Sequence, residues 1–429
     1  MTSEVSFPIS TSQSEETTGK YVITFRDNAT TEGLAILRDQ SGISGLANAA
    51  DFPESALDFS QIEATGGAVF PTLGIAVVSL DEEALHRTTI SAAEDSAILS
   101  IEPERIFYAN GNGLSIDHLT GYRDAVNNLY AKAIASDLGE EMRDQAVFQD
   151  DAVSTWGLKA TKVITSQYTG EGIKIAVLDT GFDCQHPDFQ GRSILSKSFI
   201  PGEVEQDGNG HGTHCIGTAA GFKDLNGRRY GVAYKSTIYV GKVLSNAGSG
   251  STSGILAGIE WAIVNGVQVI SMSLGDGTSQ SSAYETVARR ALQNGSLIIA
   301  AAGNNGRDLP PGNIVTQPAN SQSIMAVAAV DNTLTVPSFS ATSGPSIAAN
   351  VDIAGTGVNV YSSVSVNKGR YASFSGTSMA TPHVAGIAAL YAQALNVRGQ
   401  ALWQILISRT LRIPQPNPRV GSGLVQAPQ

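Results

Sequence analysis

Short apolar runs alternate with helical stretches from residue 151 to the end of the chain, and this pattern limits the fold most. The runs are rich in Val, Ile and Ala and lie at 172–180, 236–244, 267–274, 296–303 and 324–330. The stretch 253–266 between two of them has helical character. Continuous apolar strands joined by helices predict a parallel sheet covered by helices on both faces. In such α/β folds, ligands bind at the carboxyl ends of the strands.

A smaller unit is predicted at residues 19–109. Lys20–Phe25 alternates as a strand, 30–42 follows as a helix, and 67–80 contains two strands around a Pro/Gly break. A helix after Asp81 and a strand at 97–109 complete the order βαββαβ, which predicts a ferredoxin-like α+β unit. Residues 1–18 are predicted to be a disordered lead. Residues 110–150 are predicted to be a linker that contains a helix, and the larger unit is then 151–429.

The charge of the chain is unevenly distributed. The net charge is −12, yet residues 1–150 contain 24 Asp and Glu against 8 Lys and Arg, while residues 151–429 contain 15 against 19. The two parts are therefore electrostatically complementary, and the alternative is that the acidic part only increases solubility. No apolar run approaches the roughly 18 residues that cross a bilayer. We expect neither a membrane nor a nucleic acid as partner.

Three polar residues stand on glycine-bearing turns at the ends of predicted elements: Asp179, His211 and Ser378. Taken singly, each has an ordinary structural interpretation, because acids and serines often cap turns and helices. The pair His211 and His214 has metal-ligand spacing, but a zinc site needs a third protein ligand and no Glu lies between them as in His-Glu-x-x-His. We therefore do not expect this pair to bind a metal.

The three residues occur in the order Asp, His, Ser, which is the order of the subtilisin triad. The segments LDTG, HGTHC and SGTSMATPH resemble the signature motifs of subtilisin-like serine proteases, and AAGNNG resembles the oxyanion-hole segment of that family. The resemblance covers residues 151–429. It implies a subtilisin-like catalytic domain there, preceded at 19–109 by the inhibitory pro-domain of the family, which also acts as an intramolecular chaperone.

The chemistry suits these residue types. A serine hydroxyl is a weak nucleophile at neutral pH, so it needs a nearby base, and the base needs a partner that fixes its tautomer. By resemblance His211 is the base, Asp179 its partner and Ser378 the nucleophile, since Ser378 alone follows Gly-Thr and precedes Met-Ala-Thr-Pro. The side chain of Asn304 and the backbone N–H of Ser378 are the expected oxyanion donors. No cofactor is expected for catalysis.

The substrate contacts also follow from the resemblance. An extended peptide is expected to pair with two strand-like segments, through Ser273, Leu274, Gly275 and Gly250. Small groups are expected to line the primary pocket and leave room for a large apolar side chain; they are Ala301, Ala302 and Gly303. The alternative is that these Gly- and Ser-rich segments are only surface loops.

Structural calcium is common in relatives, and candidate ligands here are Asp188, Asp224 and Asn226. The segment around the last two also carries three basic residues, which weakens a cation site, so calcium stays open. Cys184 and Cys215 allow at most one disulfide. By position, Cys215 resembles the free cysteine of proteinase K-like members, and it is either a reactive thiol or a buried inert one.

The favoured function is a serine endopeptidase made as a zymogen, which acts on proteins or peptides and cuts itself between Tyr108 and Asp151. Two alternatives are a dedicated cytoplasmic protease that removes leader peptides, and a binding protein whose pro-domain inhibits it permanently. The beginning of the chain lacks the basic and apolar regions of a signal peptide. This predicts a cytoplasmic protein as the sequence stands, or a secreted one if an export signal has been removed.

Overall fold

A computed structural model of the chain describes residues 16–43, 45–49, 66–92, 97–109, 147–307 and 312–429. These residues form two units, which we call the N-terminal unit (16–109) and the C-terminal unit (147–429). Most of the predicted lead (1–15) and of the predicted linker and helix (110–146) lie outside the described residues.

The N-terminal unit is a sheet with two helices. Its strands are β1 (Thr17–Phe25), β2 (Ala47–Asn48), β3 (Gly67–Phe70), β4 (Ile75–Val78) and β5 (Ile98–Ala109), and its helices are α1 (Thr30–Ser41) and α2 (Glu82–Ser91). The order β5-β1-β4-β3, with β1 antiparallel to both of its neighbours, is the predicted ferredoxin-like arrangement. The short strand β2, which runs parallel to β3, was not predicted. β1 begins two residues before the predicted start of the unit.

The C-terminal unit contains the predicted parallel sheet. The strands are β6 (Lys174–Asp179), β7 (Ile194–Ser198), β8 (Thr237–Lys242), β9 (Ser249–Ser251), β10 (Val269–Met272), β11 (Leu274–Gly275), β12 (Leu297–Ala301), β13 (Met325–Val330), β14 (Ile353–Thr356), β15 (Val360–Ser363) and β16 (Tyr371–Phe374). Seven of them pair in the order β14-β13-β12-β10-β6-β8-β7, and every pair is parallel. β15 and β16 form a separate antiparallel hairpin.

Helices cover both faces of this sheet, as predicted. They are α3 (Trp156–Ala160), α4 (His211–Ala220), α5 (Thr252–Val264), α6 (Ser282–Gln293), α7 (Thr377–Leu395), α8 (Gly399–Ser408) and α9 (Asn417–Val420). One apolar core joins Leu178 and alternate sheet residues to α5 and α6. A second joins Val177 and the residues that face the other way to α4, α7 and α8. The fold is α/β with a subtilisin-like arrangement, preceded by the small α+β unit.

The last strand of the N-terminal unit joins the two units. β5 pairs antiparallel with β11 through Tyr108 and Ala109, and with β9 through residues 106–108. The ring of Phe107 is fully buried and meets Tyr284 of α6 edge to face at 5.4 Å. The N-terminal unit therefore lies against α5 and α6, with its last strand between two segments of the C-terminal unit. No helix in the described part of the chain is long and apolar enough to span a bilayer.

Candidate active site

Asp179 ends β6 at the carboxyl edge of the parallel sheet and is fully buried. Its main-chain carbonyl accepts hydrogen bonds from Val243 N and Leu244 N at 2.9 and 3.0 Å, which fix the end of the strand. Its Oδ1 accepts a bond from Thr180 N at 2.7 Å. The carboxylate is thus held rigidly at the edge where a parallel sheet gathers its functional groups.

His211 is the first residue of α4, and Gly210 before it has a φ of 101°, a conformation that glycine adopts without strain. The ring atom Nδ1 lies 2.7 Å from Asp179 Oδ1. Because the ionised carboxylate only accepts, Nδ1 carries the proton, and Nε2 of the neutral ring is the basic atom. Among the described residues, Nε2 is buried and has no hydrogen-bond partner, so its lone pair is not engaged and it makes no bond to the Ser378 hydroxyl in this structure.

Two opposing influences act on the pKa of His211. Burial disfavours the imidazolium, but the neighbouring Asp179 carboxylate and the Cys215 thiol both favour it, and together they raise the pKa of His211 above its usual value. The Cys215 thiol lies 3.9 Å from Nδ1. Burial raises the pKa of that thiol, so the cysteine stays neutral and Asp179 is the anion that stabilises the charged ring.

Ser378 is the second residue of α7, a helix buried along most of its length. Its carbonyl accepts bonds from Ser273 Oγ at 2.8 Å and from Cys215 Sγ at 3.6 Å. Since Cys215 also contacts the ring of His211, a single side chain touches both the base and the residue predicted to be the nucleophile. The fold therefore brings together three residues that are up to 199 positions apart in the printed sequence.

Asn304 lies two residues after the predicted pocket residue Ala302, beyond the end of β12. Its Oδ1 accepts bonds from both Thr377 N at 2.9 Å and Thr377 Oγ1 at 3.1 Å. Gly303 N in turn donates to Thr377 Oγ1 at 3.2 Å. Because Thr377 engages the oxygen of the amide, the orientation of the Asn304 side chain is fixed, and its NH₂ group points away from that threonine.

Asp207 is a buried residue of this site that sequence reasoning missed. Its two carboxylate oxygens accept five hydrogen bonds of 2.7 to 3.0 Å from groups on both sides of His211 and from the turn after Asp179. The donors are Thr180 Oγ1, Asn209 N, Gly210 N, Thr213 N and Thr213 Oγ1. The signal in the sequence was an acid four residues before the histidine, in DGNGHG.

His214 has a structural role. His214 Nε2 donates to the carbonyls of Val360 and Ala372, and its ring stacks on Phe374 at 4.4 Å. Burial, followed by the charge of His211, lowers the pKa of His214 to about 3, so the ring stays neutral. In the described ranges, the one group of acids, histidines and cysteines close enough to share a metal is Asp179, His211 and Cys215, and the first two already bind each other.

The predicted substrate residues lie around β5. Leu274 pairs with Ala109, Gly275 pairs with Tyr108, and Gly250 pairs with Phe107. Ser273 precedes this ladder, and its hydroxyl bonds to the carbonyl of Ser378. The predicted peptide-binding segments β9 and β11 thus already pair with an extended strand of the same chain. The predicted pocket residues Ala301, Ala302 and Gly303 are all buried, and the last has a φ of 118°.

Acidic residues of the N-terminal unit meet the N-termini of two helices. Glu104 accepts a bond from Ser253 N in the first turn of α5 at 2.8 Å. Glu102 accepts bonds from Ser281 Oγ and Ala283 N at the start of α6, at 2.6 and 3.1 Å. Carboxylates are favourable at helix N-termini, where N–H groups are unpaired. Acids of the N-terminal unit thus cap the first turns of both helices.

The predicted calcium ligands have protein partners. Asp188 accepts bonds from the hydroxyls of Tyr230 at 2.7 Å and Tyr371 at 2.9 Å. Asp224 lies near the Tyr361 hydroxyl at 3.1 Å and Arg228 Nε at 3.4 Å, and its other oxygen accepts the backbone N–H groups of Asn226 and Arg228. Calcium needs six to eight oxygens around one point. Calcium at Asp188 and Asp224 stays a prediction. The tyrosine, arginine and backbone groups that already bind these carboxylates disfavour it. Cys184 and Cys215 are both free thiols.

A model of the subtilase family, peptidase family S8, matches residues 170–423. Subtilisin DY of Bacillus licheniformis is 43% identical over 234 residues, which are 54% of this chain and 81% of that protein. Subtilisin E of Bacillus subtilis (strain 168) is 43% identical over 235 residues, 54% of this chain and 58% of that protein. A thermostable alkaline protease of Halalkalibacterium halodurans is 48% identical over 222 residues, 52% of this chain and 57% of that protein.

Proposed function

Because this chain belongs to the subtilase family and is a subtilisin-like serine endopeptidase, we propose that Ser378 is its nucleophile, His211 its general base and Asp179 the partner of that base. The bond of 2.7 Å between Asp179 Oδ1 and His211 Nδ1, next to the helix that begins with Thr377 and Ser378, carries the proposal. The substrates are proteins or peptides, and the products are two shorter chains.

In the first step, Ser378 Oγ attacks the carbonyl carbon of a peptide bond and His211 Nε2 takes the hydroxyl proton. The imidazolium that forms carries its positive charge next to Asp179, which is buried and ionised. The ion pair of His211 and Asp179 can form without movement of the carboxylate, because Val243, Leu244 and Thr180 already hold the aspartate in place.

The carbonyl oxygen becomes negative as the bond to Ser378 forms. We assign its stabilisation to the Asn304 side-chain NH₂ and to the main-chain N–H of Ser378 in the first turn of α7. A donor must be aimed before the reaction to be effective, and Thr377 aims the amide of Asn304. Removal of Thr377 Oγ1 should therefore weaken the same step as removal of Asn304.

When the tetrahedral intermediate collapses, the carbon–nitrogen bond breaks and the imidazolium gives its proton to the leaving amine. An acyl-enzyme ester on Ser378 remains. Water then attacks this ester as His211 Nε2 takes a proton from the water. The ester bond breaks, the imidazolium gives that proton to Ser378 Oγ, and the carboxylic acid product forms. The histidine is thus base and acid in turn, and it returns to its neutral form.

We further propose that the N-terminal unit is the pro-domain of a self-processing zymogen. The antiparallel pairing of Tyr108 and Ala109 with β11 supports this, since the strand lies along the predicted substrate residues and ends near Ser378. On the far side of the linker, Phe148 N donates to Asn332 O and Asp150 accepts Trp156 N. The first self-cleavage should fall after Ala109 and before Phe148.

The experiment compares the wild-type chain with a Ser378→Ala chain produced in the same way. Wild type should yield a shorter mature chain whose new N-terminus, read by mass spectrometry, lies between residues 110 and 148. The Ser378→Ala chain should stay intact. A Ser375→Ala chain is the matched control, because it removes a hydroxyl of the same turn and should be processed like wild type. Equal processing of the Ser378→Ala chain would refute the proposal.

A further inference from the structure

The helices α5 and α6 present two buried charged side chains to one turn of the N-terminal unit, between β3 and β4. Glu260 of α5 is 4% exposed, and its two oxygens accept the backbone N–H groups of Thr72 and Leu73 at 3.0 Å each. Arg290 of α6 donates from Nη1 to the carbonyl of Leu73. One acid and one base thus bind backbone groups of the same turn, and both bind Leu73.

The guanidinium of Arg290 also reaches a second segment of the N-terminal unit. Its Nη2 donates to the carbonyl of Phe25 at 2.8 Å and to Asp27 Oδ1 at 2.9 Å. Phe25 ends β1, whereas Leu73 lies in the turn between β3 and β4. A single side chain of the C-terminal unit therefore links two separate segments of the N-terminal unit.

The turn is shaped for this arginine. Gly74 has a φ of +60°, and a Cβ on it would lie 2.2 Å from Arg290 Nη1; the three nearest atoms all belong to Arg290. A contact below 3.0 Å does not occur for real Cβ atoms. Glycine thus suits this turn by its backbone conformation, and a side chain at this position would force the guanidinium of Arg290 to move.

Arg289 offers an internal comparison. It binds the same Asp27 with Nη1 at 2.8 Å and Nη2 at 3.2 Å, but its side chain is 39% exposed against 10% for Arg290. Exposed ion pairs contribute little, whereas removing a buried charged donor leaves its acceptors without a partner in a place that water does not reach. The two adjacent arginines should therefore differ strongly in their effect on the interface.

We propose that Arg290, in addition to the contacts described above, is a recognition residue through which the catalytic domain holds its own pro-domain, and that it sets how long the cleaved pro-domain stays bound. The surface formed by Glu260 and Arg290 fits a partner with an outward-facing backbone turn, a glycine in the left-handed conformation and an acid just after the neighbouring strand. The N-terminal unit is that partner. This inference rests on the proposed zymogen function.

The test uses full-length chains and measures the lag before peptidase activity appears on a fluorogenic peptide. The lag lasts as long as the cleaved pro-domain occupies the cleft. Arg290→Met should shorten it by about tenfold or more, in keeping with the loss of several bonds to a charged group. Arg289→Met should change it by less than about twofold, as expected for an exposed pair. Equal effects of the two substitutions would overturn the inference.

A second test asks whether the effect of Gly74→Ala depends on Arg290. The substitution should shorten the lag in the wild-type background, because the new methyl group displaces Arg290. In an Arg290→Ala background it should have a much smaller effect, since only the backbone strain at φ +60° remains. Equal effects in the two backgrounds would show that the turn is not shaped for the arginine.

Amide hydrogen exchange, measured on Ser378→Ala chains that are not cut, reports on the contact between the two units without requiring self-cleavage. Arg290→Met should speed exchange at Thr72 and Leu73, while the amides of β6 stay protected and report that the catalytic domain is folded. Unchanged exchange at the turn would overturn the inference. Failure of the zymogen proposal has a different signature, since the wild-type chain would then never be cut and would show no lag.

Discussion

The Asp207 carboxylate and the Thr180 hydroxyl lie 3.0 Å apart, and their bond connects the turn after Asp179 to the start of the His211 helix. The same carboxylate accepts the N–H of Gly210 at 2.7 Å and that of Thr213 at 2.9 Å. Asp207 therefore binds the segments that position both Asp179 and His211. A displacement of one relative to the other must break bonds to Asp207.

Asp207→Asn should lower kcat about 10–100-fold with little change in KM. An asparagine keeps the size of the side chain but replaces one accepting oxygen by a donor, so the Thr180 or the Thr213 bonds are lost and the ring of His211 shifts relative to Asp179. Small displacements of catalytic groups cost about that much. Steady-state kinetics test this, and Val204→Ala is the control because its side chain lies in the same loop and is 69% exposed. A change in KM with kcat unaltered would contradict this prediction.

Asn304→Leu should reduce kcat by about 10²–10³, the size found for such a donor in a subtilisin, with KM nearly unchanged. Thr377→Val should reduce kcat less, by about tenfold, since it removes one of the two donors that orient the amide. Because both act on the same group, the double variant should be little worse than Asn304→Leu alone. Additive losses would show that Thr377 acts independently of the amide.

The activity of the mature enzyme should rise with pH as His211 loses its proton. Burial lowers the pKa of His211, whereas Asp179 and Cys215 raise it, and the resulting pKa lies above the usual range, so the acid limb of kcat/KM should also lie above that range. Asp179→Asn removes the anion, so the limb should move to lower pH while the plateau falls about 10⁴-fold. A limb that stays in place would show that Asp179 does not set this pKa.

Tyr371→Phe should lower the free energy of unfolding by about 1–3 kcal/mol, because Asp188 loses a hydroxyl donor in a place that water scarcely reaches. Chemical denaturation measures this. If the tyrosines, rather than an ion, satisfy Asp188, the loss on Asp188→Asn should be the same in calcium and in EDTA. A loss that appears only in calcium would show that an ion binds at this carboxylate.

Much of the architecture followed from the sequence because it depends on local patterns. The continuous apolar runs at β6, β10 and β12 predicted buried parallel strands, and glycine-bearing turns indicated where Asp179, His211 and Ser378 lie. β7 was missed because it is an edge strand with the composition ILSKS, which has little apolar periodicity. The hairpin of β15 and β16 was missed because it lies outside the main sheet and is rich in serine.

The residues that sequence reasoning missed depend on contacts between distant parts of the chain. In the sequence, Arg290 and Glu260 look like ordinary charged residues of helices. Their roles become visible only in the structure, where the N-terminal unit covers them. Asp188 was predicted as a candidate calcium ligand, and nothing local indicates that Tyr371, 183 residues away, donates a hydroxyl to it. The roles of Arg290, Glu260 and Asp188 all depend on burial of a charged side chain. Such burial is set by the tertiary fold, so a local sequence pattern does not predict it.

The most direct measurement is labelling of the mature enzyme with a fluorophosphonate, followed by peptide mapping. If His211 activates Ser378 beside the donors of the oxyanion hole, the adduct should be on Ser378, in one copy per chain. It should be absent from the Ser378→Ala chain and strongly reduced in His211→Ala. An adduct on another residue, or equal labelling of the Ser378→Ala chain, would contradict the assignment of the nucleophile.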